Sequence, residues 1–255
     1  MYATSGFKEF DYIIGDRLVL RSDEQRCYTE RCLQLPVSYL TFQTNHPAPP
    51  AVESPVASRG FFTFGCLATM YKITPAVVAA WAEILRNASR ARLILSNREL
   101  KSLCNRDFLL AQFEALGVER QRVEILPPDQ HYEYLKYYDQ IDLALDTFPY
   151  NGGTTTMEAI WQGVPVLTFN GDRWASRTSR SILGNSHLSH FAVDNYEQYV
   201  LTAVKFATDP ESQAALLALR RAMRGTLIHS KVCDTQRFTQ KMETLYANAY
   251  AGSRN

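Results

Sequence analysis

From Ile141 to Arg177 the chain reads IDLALDTFPYNGGTTTMEAIWQGVPVLTFNGDRWASR, which is strand, glycine turn, helix, strand and second loop in direct succession. The apolar block Ile141 to Phe148 is rich in Ile, Leu and Phe and too short to span a membrane, which predicts a buried parallel strand. Pro149 and then Asn151, Gly152 and Gly153 end it with residues that allow a sharp turn and close backbone approach. Thr155 and Glu158 have the spacing of a capping box, and Met157, Ile160 and Trp161 supply apolar faces, which predicts that a helix starts here. The first amides of such a helix lack internal partners and the helix dipole adds partial positive charge, so a phosphate fits the turn. Thr154, Thr155 and Thr156 bring three hydroxyls to the same place. Simple capping is the competing reading, since threonines at a helix start and a Gly-Gly turn are common in α/β proteins. Neither Gly-x-Gly-x-x-Gly nor Gly-Lys-Ser/Thr occurs in this stretch, so the residues alone reach no further than a phosphate-bearing ligand.

The same alternation extends upstream. Phe61 to Phe64 reads as a strand, and Thr74-Pro75 as a helix start, with Val77, Val78, Trp81, Ile84 and Leu85 forming one apolar face. Arg92 to Leu95 reads as a strand, Phe108 to Leu116 as a helix stopped by Gly117, and Val123 to Leu126 as another strand. Strand and helix in turn predict an α/β fold with a parallel sheet wrapped by helices and ligand groups at the carboxyl ends of the strands. After Phe191 the pattern becomes helical, at Tyr196 to Thr208, Glu211 to Met223 and Thr235 to Tyr246. Ahead of this domain, residues 1–44 read as a strand (Asp11 to Ile14), a helix around Asp23 to Cys32 and a short strand (Ser38 to Phe42). Residues 45–59, NHPAPPAVESPVASR, are rich in proline and small residues and predict an extended linker. The main domain is then 60–255.

Composition excludes several classes. With 255 residues, 46% of them hydrophobic, the chain has ample material for a core. Its net charge of +1 is scattered, giving no basic stripe for nucleic acid and no polybasic cluster for a membrane surface. No apolar run approaches the roughly 20 residues needed to cross a bilayer, and the N-terminus lacks signal-peptide character, which predicts a cytoplasmic protein. Cys27, Cys32, Cys66, Cys104 and Cys233 form an odd, scattered set without Cys-x-x-Cys, which fits reduced structural thiols. The five histidines, His46, His131, His187, His190 and His229, show no metal-ligand spacing, so no metal is expected. No repeat of tetratricopeptide length is visible.

The string LDTFPYNGGTTTMEAIWQGVPVLTFNGDRWASR resembles the C-terminal catalytic lobe of the protein O-GlcNAc transferase and SPINDLY family, particularly its bacterial members. GFFTFGCLATMYKITPAVVAAWAEIL, LGVERQRVEILP and CDTQRFTQKMETLY resemble their counterparts in that family, so nearly the whole chain is covered. The resemblance implies the second, Rossmann-like lobe of a GT-B glycosyltransferase, a parallel sheet with helices on both faces. DYIIGDRLVLRSDEQRCYTERCLQLPVSYL is similar to the closing strand and connection of the first lobe. It also implies that the body of that lobe, with its active-site histidines, and the family's helical-repeat arm are partners outside this sequence.

Several site roles follow from the resemblance. Lys72, in MYKITP, matches the lysine that contacts the donor diphosphate; without the resemblance it reads as an ordinary exposed lysine. Thr69 stands where relatives often have Asn or Gln near the phosphates. Thr154 and Thr155 match diphosphate contacts, within a turn formed by Asn151, Gly152, Gly153 and Thr156, and Glu158 matches the acid that holds the ribose hydroxyls. A nucleobase-stacking ring of the family falls at Tyr134, with His131 one helical turn earlier and slightly favoured; either offers a stacking face. Arg177, in the Ala-Ser-Arg of the second loop, braces the site or belongs to a solvated cluster with Arg173 and Arg180. The implied activity is inverting transfer of a sugar from a nucleoside diphosphate donor, UDP-GlcNAc or the GDP-fucose of SPINDLY relatives, to Ser or Thr of a protein acceptor, without cofactor or metal. A non-catalytic nucleotide-binding or interaction module is the alternative.

Overall fold

The computed structural model describes residues 3–44 and 47–252. Its main body is a six-stranded, all-parallel sheet in the order β5-β4-β3-β6-β7-β8. The strands are β3 (Thr63–Cys66), β4 (Arg92–Leu95), β5 (Val123–Ile125), β6 (Leu143–Leu145), β7 (Val166–Phe169) and β8 (Ala192–Val193). A smaller parallel pair, β1 (Tyr12–Asp16) and β2 (Arg31–Leu35), precedes it. The helices are α1 (Val56–Arg59), α2 (Pro75–Asn87), α3 (Leu103–Ala115), α4 (His131–Leu135), α5 (Thr154–Trp161), α6 (Thr178–Gly184), α7 (Tyr196–Thr208), α8 (Pro210–Ile228) and α9 (Thr235–Gly252). Helices flank the sheet as a Rossmann-like α/β architecture requires: α2 packs on α3 and α7, and α5 on α6 and α8. No helix among the described residues is long and apolar enough to cross a membrane.

Local chemistry explains the elements. Thr74 caps α2, accepting a hydrogen bond from the amide of Val77 at 3.4 Å, and Pro75 opens the first turn. Val77, Val78, Trp81, Ile84 and Leu85, expected as one apolar face, are all buried. The helix expected at Phe108 begins earlier, at Leu103 after the Ser102 cap, and stops at Gly117, whose φ of +78° suits glycine. The strand expected over Ile141 to Phe148 is shorter. Its ladder runs only from the amide of Asp142 to that of Asp146, because Asp146 then turns its carboxylate onto the backbone that follows.

Two expectations for the N-terminal segment fail. The helix around Asp23 to Cys32 is a six-residue 3-10 turn, Ser22–Cys27, and residues from Arg31 onward form β2. The Arg31 amide donates to the Asp11 carbonyl at 2.9 Å, so pairing with a distant strand overrides local preference. Ser38 to Phe42 is not a strand; the Tyr39 amide instead donates to Asp16 Oδ2 at 2.9 Å. Asn45 and His46 of the expected linker lie outside the described residues, as do Met1, Tyr2 and residues 253–255 of the terminal segments. The expected linker is not extended throughout, since its last four residues form α1, and the part before it packs at the amino end of β6. Arg220 on α8 donates to the carbonyls of Val52, Ile141 and Tyr138 at 2.7, 2.6 and 2.8 Å, and Arg224 to that of Pro49 at 2.8 Å.

Trp81, fully buried, donates to the Tyr199 hydroxyl at 3.0 Å, and that hydroxyl donates to the Asp146 carbonyl at 3.1 Å. This relay ties α2 and α7 to the carboxyl end of β6. Trp81→Phe should cost about 1–2 kcal/mol, the scale of a lost buried hydrogen bond with a small void. Denaturant unfolding checks it, and an unchanged midpoint would deny the relay any structural weight.

Candidate functional site

Strand order locates the site. The chain leaves β3 toward β4 and β5, then returns to the opposite side of β3 to place β6, β7 and β8. The switch point between β3 and β6 leaves a crevice at their carboxyl ends, where the loop after β3 faces the loop after β6. The first of these loops carries Thr69 and Lys72, and the second runs from Asp146 to Gly153.

Asp146 organises the second loop. Its Oδ1 accepts from the amides of Thr147 at 2.9 Å and Gly152 at 2.8 Å, curling the chain back toward the strand it has just left. The Thr147 hydroxyl donates to the Tyr150 carbonyl at 2.7 Å, and Asn151 Nδ2 donates to the Thr147 carbonyl at 2.9 Å. Only glycine fits at 152, because a Cβ there would collide with Thr156 Oγ1 and stand 2.8 Å from Thr155 Oγ1. Sequence reasoning passed over Asp146; the available signal was a carboxylate at the end of an apolar strand. Burial pushes its carboxyl above the ordinary aspartate range, opposed by the Gly152 amide and by the nearby Lys72 charge.

The eight-residue α5 starts at Thr154 with no side-chain cap. This corrects the capping-box expectation: Glu158 turns away from the helix start, and its Oε1 lies 2.8 Å from His131 Nε2. The early amides of α5 therefore have neither an intrahelical partner nor a capping side chain. The three threonines diverge. Thr154 is exposed and Thr155 half-buried, while Thr156 is buried with its hydroxyl 2.9 Å from Ser179 Oγ. Thr156 is thus a support of the turn, and its hydroxyl is committed inside the protein.

Lys72 ends a short 3-10 turn, Met70–Lys72, and reaches across the crevice. Its Nζ donates to the Asn151 carbonyl at 2.7 Å and sits 3.8 Å from the centre of the Tyr150 ring. It is not the ordinary exposed lysine of the competing reading: burial pushes its ammonium below the usual lysine range, an effect that Asp146 partly offsets. Thr69 Oγ1 and Asn151 Oδ1, on opposite sides of the crevice, are buried without a protein partner.

The remaining expectations separate cleanly. Tyr134 lies partly buried, its hydroxyl 2.8 and 3.1 Å from the carbonyls of Leu67 and Ser96, so it braces the loop after β3 against the end of β4. His131, by contrast, is exposed beside Glu158. Of its two readings, brace of the site or member of a solvated cluster, Arg177 takes the first. Its guanidinium is fully buried, donates to both carboxylate oxygens of Glu24 at 2.8 and 2.5 Å, and donates to the carbonyls of Gly171 and Val19 at 2.9 and 3.2 Å. Those acceptors satisfy it within the protein, so it binds the second loop to the N-terminal segment. Depth does not mark the switch point. The cavity between Leu67, Asp146, Thr155 and Thr156 is about 20 Å³, while clefts of about 420 and 490 Å³ flank β1 and β2. Glycine turn, uncapped helix start and inserted cation identify the shallow crevice as the candidate, because those features suit an anion.

The sequence profile described as Glycosyl transferase family 41 matches residues 60–242, which include the whole of this crevice. The chain belongs to glycosyl transferase family 41. Among curated members, it is 35% identical to a protein of Eustoma exaltatum subsp. russellianum named probable UDP-N-acetylglucosamine--peptide N-acetylglucosaminyltransferase SPINDLY, over 97% of this chain and 27% of that protein. The SPINDLY protein of Arabidopsis thaliana is 34% identical over the same shares of each chain. Among solved structures, a point mutant of the Thermobaculum terrenum O-GlcNAc transferase superposes with a TM-score of 0.84 at 33% identity, covering 96% of this chain and 46% of that one. The chain thus spans about a quarter of the length of those curated family 41 relatives and about half of the solved transferase.

Proposed function

We propose that this chain is the nucleotide-sugar-binding lobe of an inverting protein O-glycosyltransferase that moves a sugar, GlcNAc from UDP-GlcNAc, onto Ser or Thr hydroxyls. The observation that carries the reading is the Lys72 ammonium held on the Asn151 carbonyl, at the start of the turn that leads into α5. In the proposed reaction the acceptor hydroxyl attacks the anomeric carbon, the bond to the diphosphate oxygen breaks, and negative charge grows on the leaving diphosphate. Lys72 and the first amides of α5 neutralise that charge, an effect worth several kcal/mol at a preorganised site. Glu158 accepts from the ribose hydroxyls, and the His131 ring beside it offers the base a stacking face. The names of the relatives favour a UDP donor over GDP-fucose. A cytoplasmic setting accords with five cysteines that are all free thiols.

The acceptor-side groups of the reaction belong, in this reading, to a first lobe outside the chain. The chain by itself should therefore bind UDP and transfer no measurable sugar to peptide. Calorimetry with UDP and GDP, alongside a radiolabelled transfer assay, tests both halves. Absence of binding by either nucleotide defeats the nucleotide reading, and sustained turnover defeats the half-site assignment.

A further inference from the structure

Lys72 can act on an incoming diphosphate only if its ammonium stays charged and stays in the crevice. Both are demanding, because burial disfavours the charged form and a four-carbon stem has many rotamers. The titratable groups around the ammonium act on it from a distance, Asp146 foremost in keeping it charged. Asp146, at the end of β6, is itself buried and pushed toward its neutral form. Cys66, at the end of β3, is a thiol pushed up to about 12 by burial and is neutral at physiological pH. Tyr71, the neighbour in sequence, is 68% exposed.

Two groups touch the ammonium directly, the Asn151 carbonyl and the face of Tyr150. The backbone that carries the Tyr150 ring is fixed from behind. Its own carbonyl accepts from the Thr147 hydroxyl, its neighbour Asn151 donates its amide to the Ala175 carbonyl at 2.9 Å, and the Tyr71 ring lies 6.1 Å away at 43°. An aromatic face attracts a cation through its quadrupole without neutralising it, unlike a carboxylate, and so leaves the full positive charge available to a second anion.

We propose that Tyr150 is a positioning residue for the transfer reaction, its ring seating the Lys72 ammonium at the mouth of the phosphate turn and keeping it charged for the donor diphosphate. This rests on the nucleotide-sugar reading above, which assigns Lys72 its ligand. Tyr150 holds the cation from the loop after β6, while Lys72 itself comes from the loop after β3. The seat therefore also sets the spacing of the two loops across the switch point.

The test compares Tyr150→Leu with Tyr150→Phe in the full chain. Tyr150→Leu should weaken UDP binding by about fivefold near neutral pH, the span expected for losing one cation–aromatic contact, and the deficit should grow as pH rises because the lysine then deprotonates earlier. Tyr150→Phe, which keeps the ring, should restore affinity to within about twofold. In a Lys72→Met background Tyr150→Leu should add nothing. Additive losses there, or equal damage by Phe and Leu, would overturn the proposal by giving Tyr150 a role independent of the lysine. NMR titration of the Lys72 side chain without nucleotide reads the seat separately: its pKa should fall in Tyr150→Leu and hold in Tyr150→Phe. A wild type that binds no nucleotide sinks the donor assignment, and an unmoved lysine pKa sinks the seat.

Discussion

Lys72→Met should weaken UDP binding by about tenfold to a hundredfold, the range for a charge-assisted contact of about 1.5–3 kcal/mol, and should leave the fold intact. The ammonium spans the crevice to the Asn151 carbonyl and is the cation placed at the turn before α5. Methionine keeps most of the stem packing and removes the charge. Because burial lowers the lysine's pKa, its charged form is disfavoured in the folded protein. Relief of that burial penalty offsets the lost contacts to the Asn151 carbonyl and the Tyr150 ring, and a thermal melt of the variant separates lost binding from lost folding. The sign of the pH effect follows. UDP affinity of the wild type should fall as pH climbs through the lowered lysine pKa, beginning below the range in which a free lysine titrates, and Lys72→Met should lack this alkaline limb. Calorimetric titrations across pH measure it; equal affinities for both proteins throughout would remove Lys72 from the site.

Arg177→Ala should destabilise the protein by about 2–3 kcal/mol, less than the cost of breaking a fully buried ion pair because Glu24 is only part-buried and water can reach it. The deletion strands the Glu24 carboxylate and the carbonyls of Gly171 and Val19, all of which the guanidinium now satisfies. Glu24 is held below the usual glutamate range, first by its hydrogen bond from Arg177 and against the opposing effect of burial. A carboxylate whose folded pKa is depressed adds stability above its unfolded pKa and loses it as pH falls through the folded value. Wild-type stability should accordingly decline on the acid side over that window, and the Arg177→Ala variant should lose that component of the decline. Denaturant unfolding at neutral and acid pH reads both effects. A neutral-pH midpoint within error of wild type would show that the brace carries no weight, while unchanged UDP binding by the folded variant is expected from its distance in role from the ligand.

How much of this was legible beforehand depends on the range of the interactions involved. Helix α2 could be read because Thr74, Pro75 and five apolar residues act within a few turns of one another. The glycine turn could be read because Gly152 answers a local steric demand. The pairing of β2 with β1 could not: a short polar-apolar segment such as RCLQL takes its state from a strand some twenty residues away. Glu158 shows the same limit inside the site. Its spacing from Thr155 satisfies a local capping rule, yet His131, delivered by a different helix, wins the carboxylate. At Tyr134 and Arg177 the same limit appears: backbone carbonyls that no linear pattern reveals accept from the hydroxyl of one and the guanidinium of the other.

Sequence alone determined the alternation of buried strands and helices, the glycine-marked turn and the presence of a cation ahead of α2, since apolar periodicity and backbone sterics are set over a few residues. Tertiary structure alone decided which polar groups stand at the crevice and which are spent on bracing it. A lysine, arginine or carboxylate commits to whichever partner the folded chain brings within about 3 Å, and that partner is chosen by strand order and loop packing across most of the sequence.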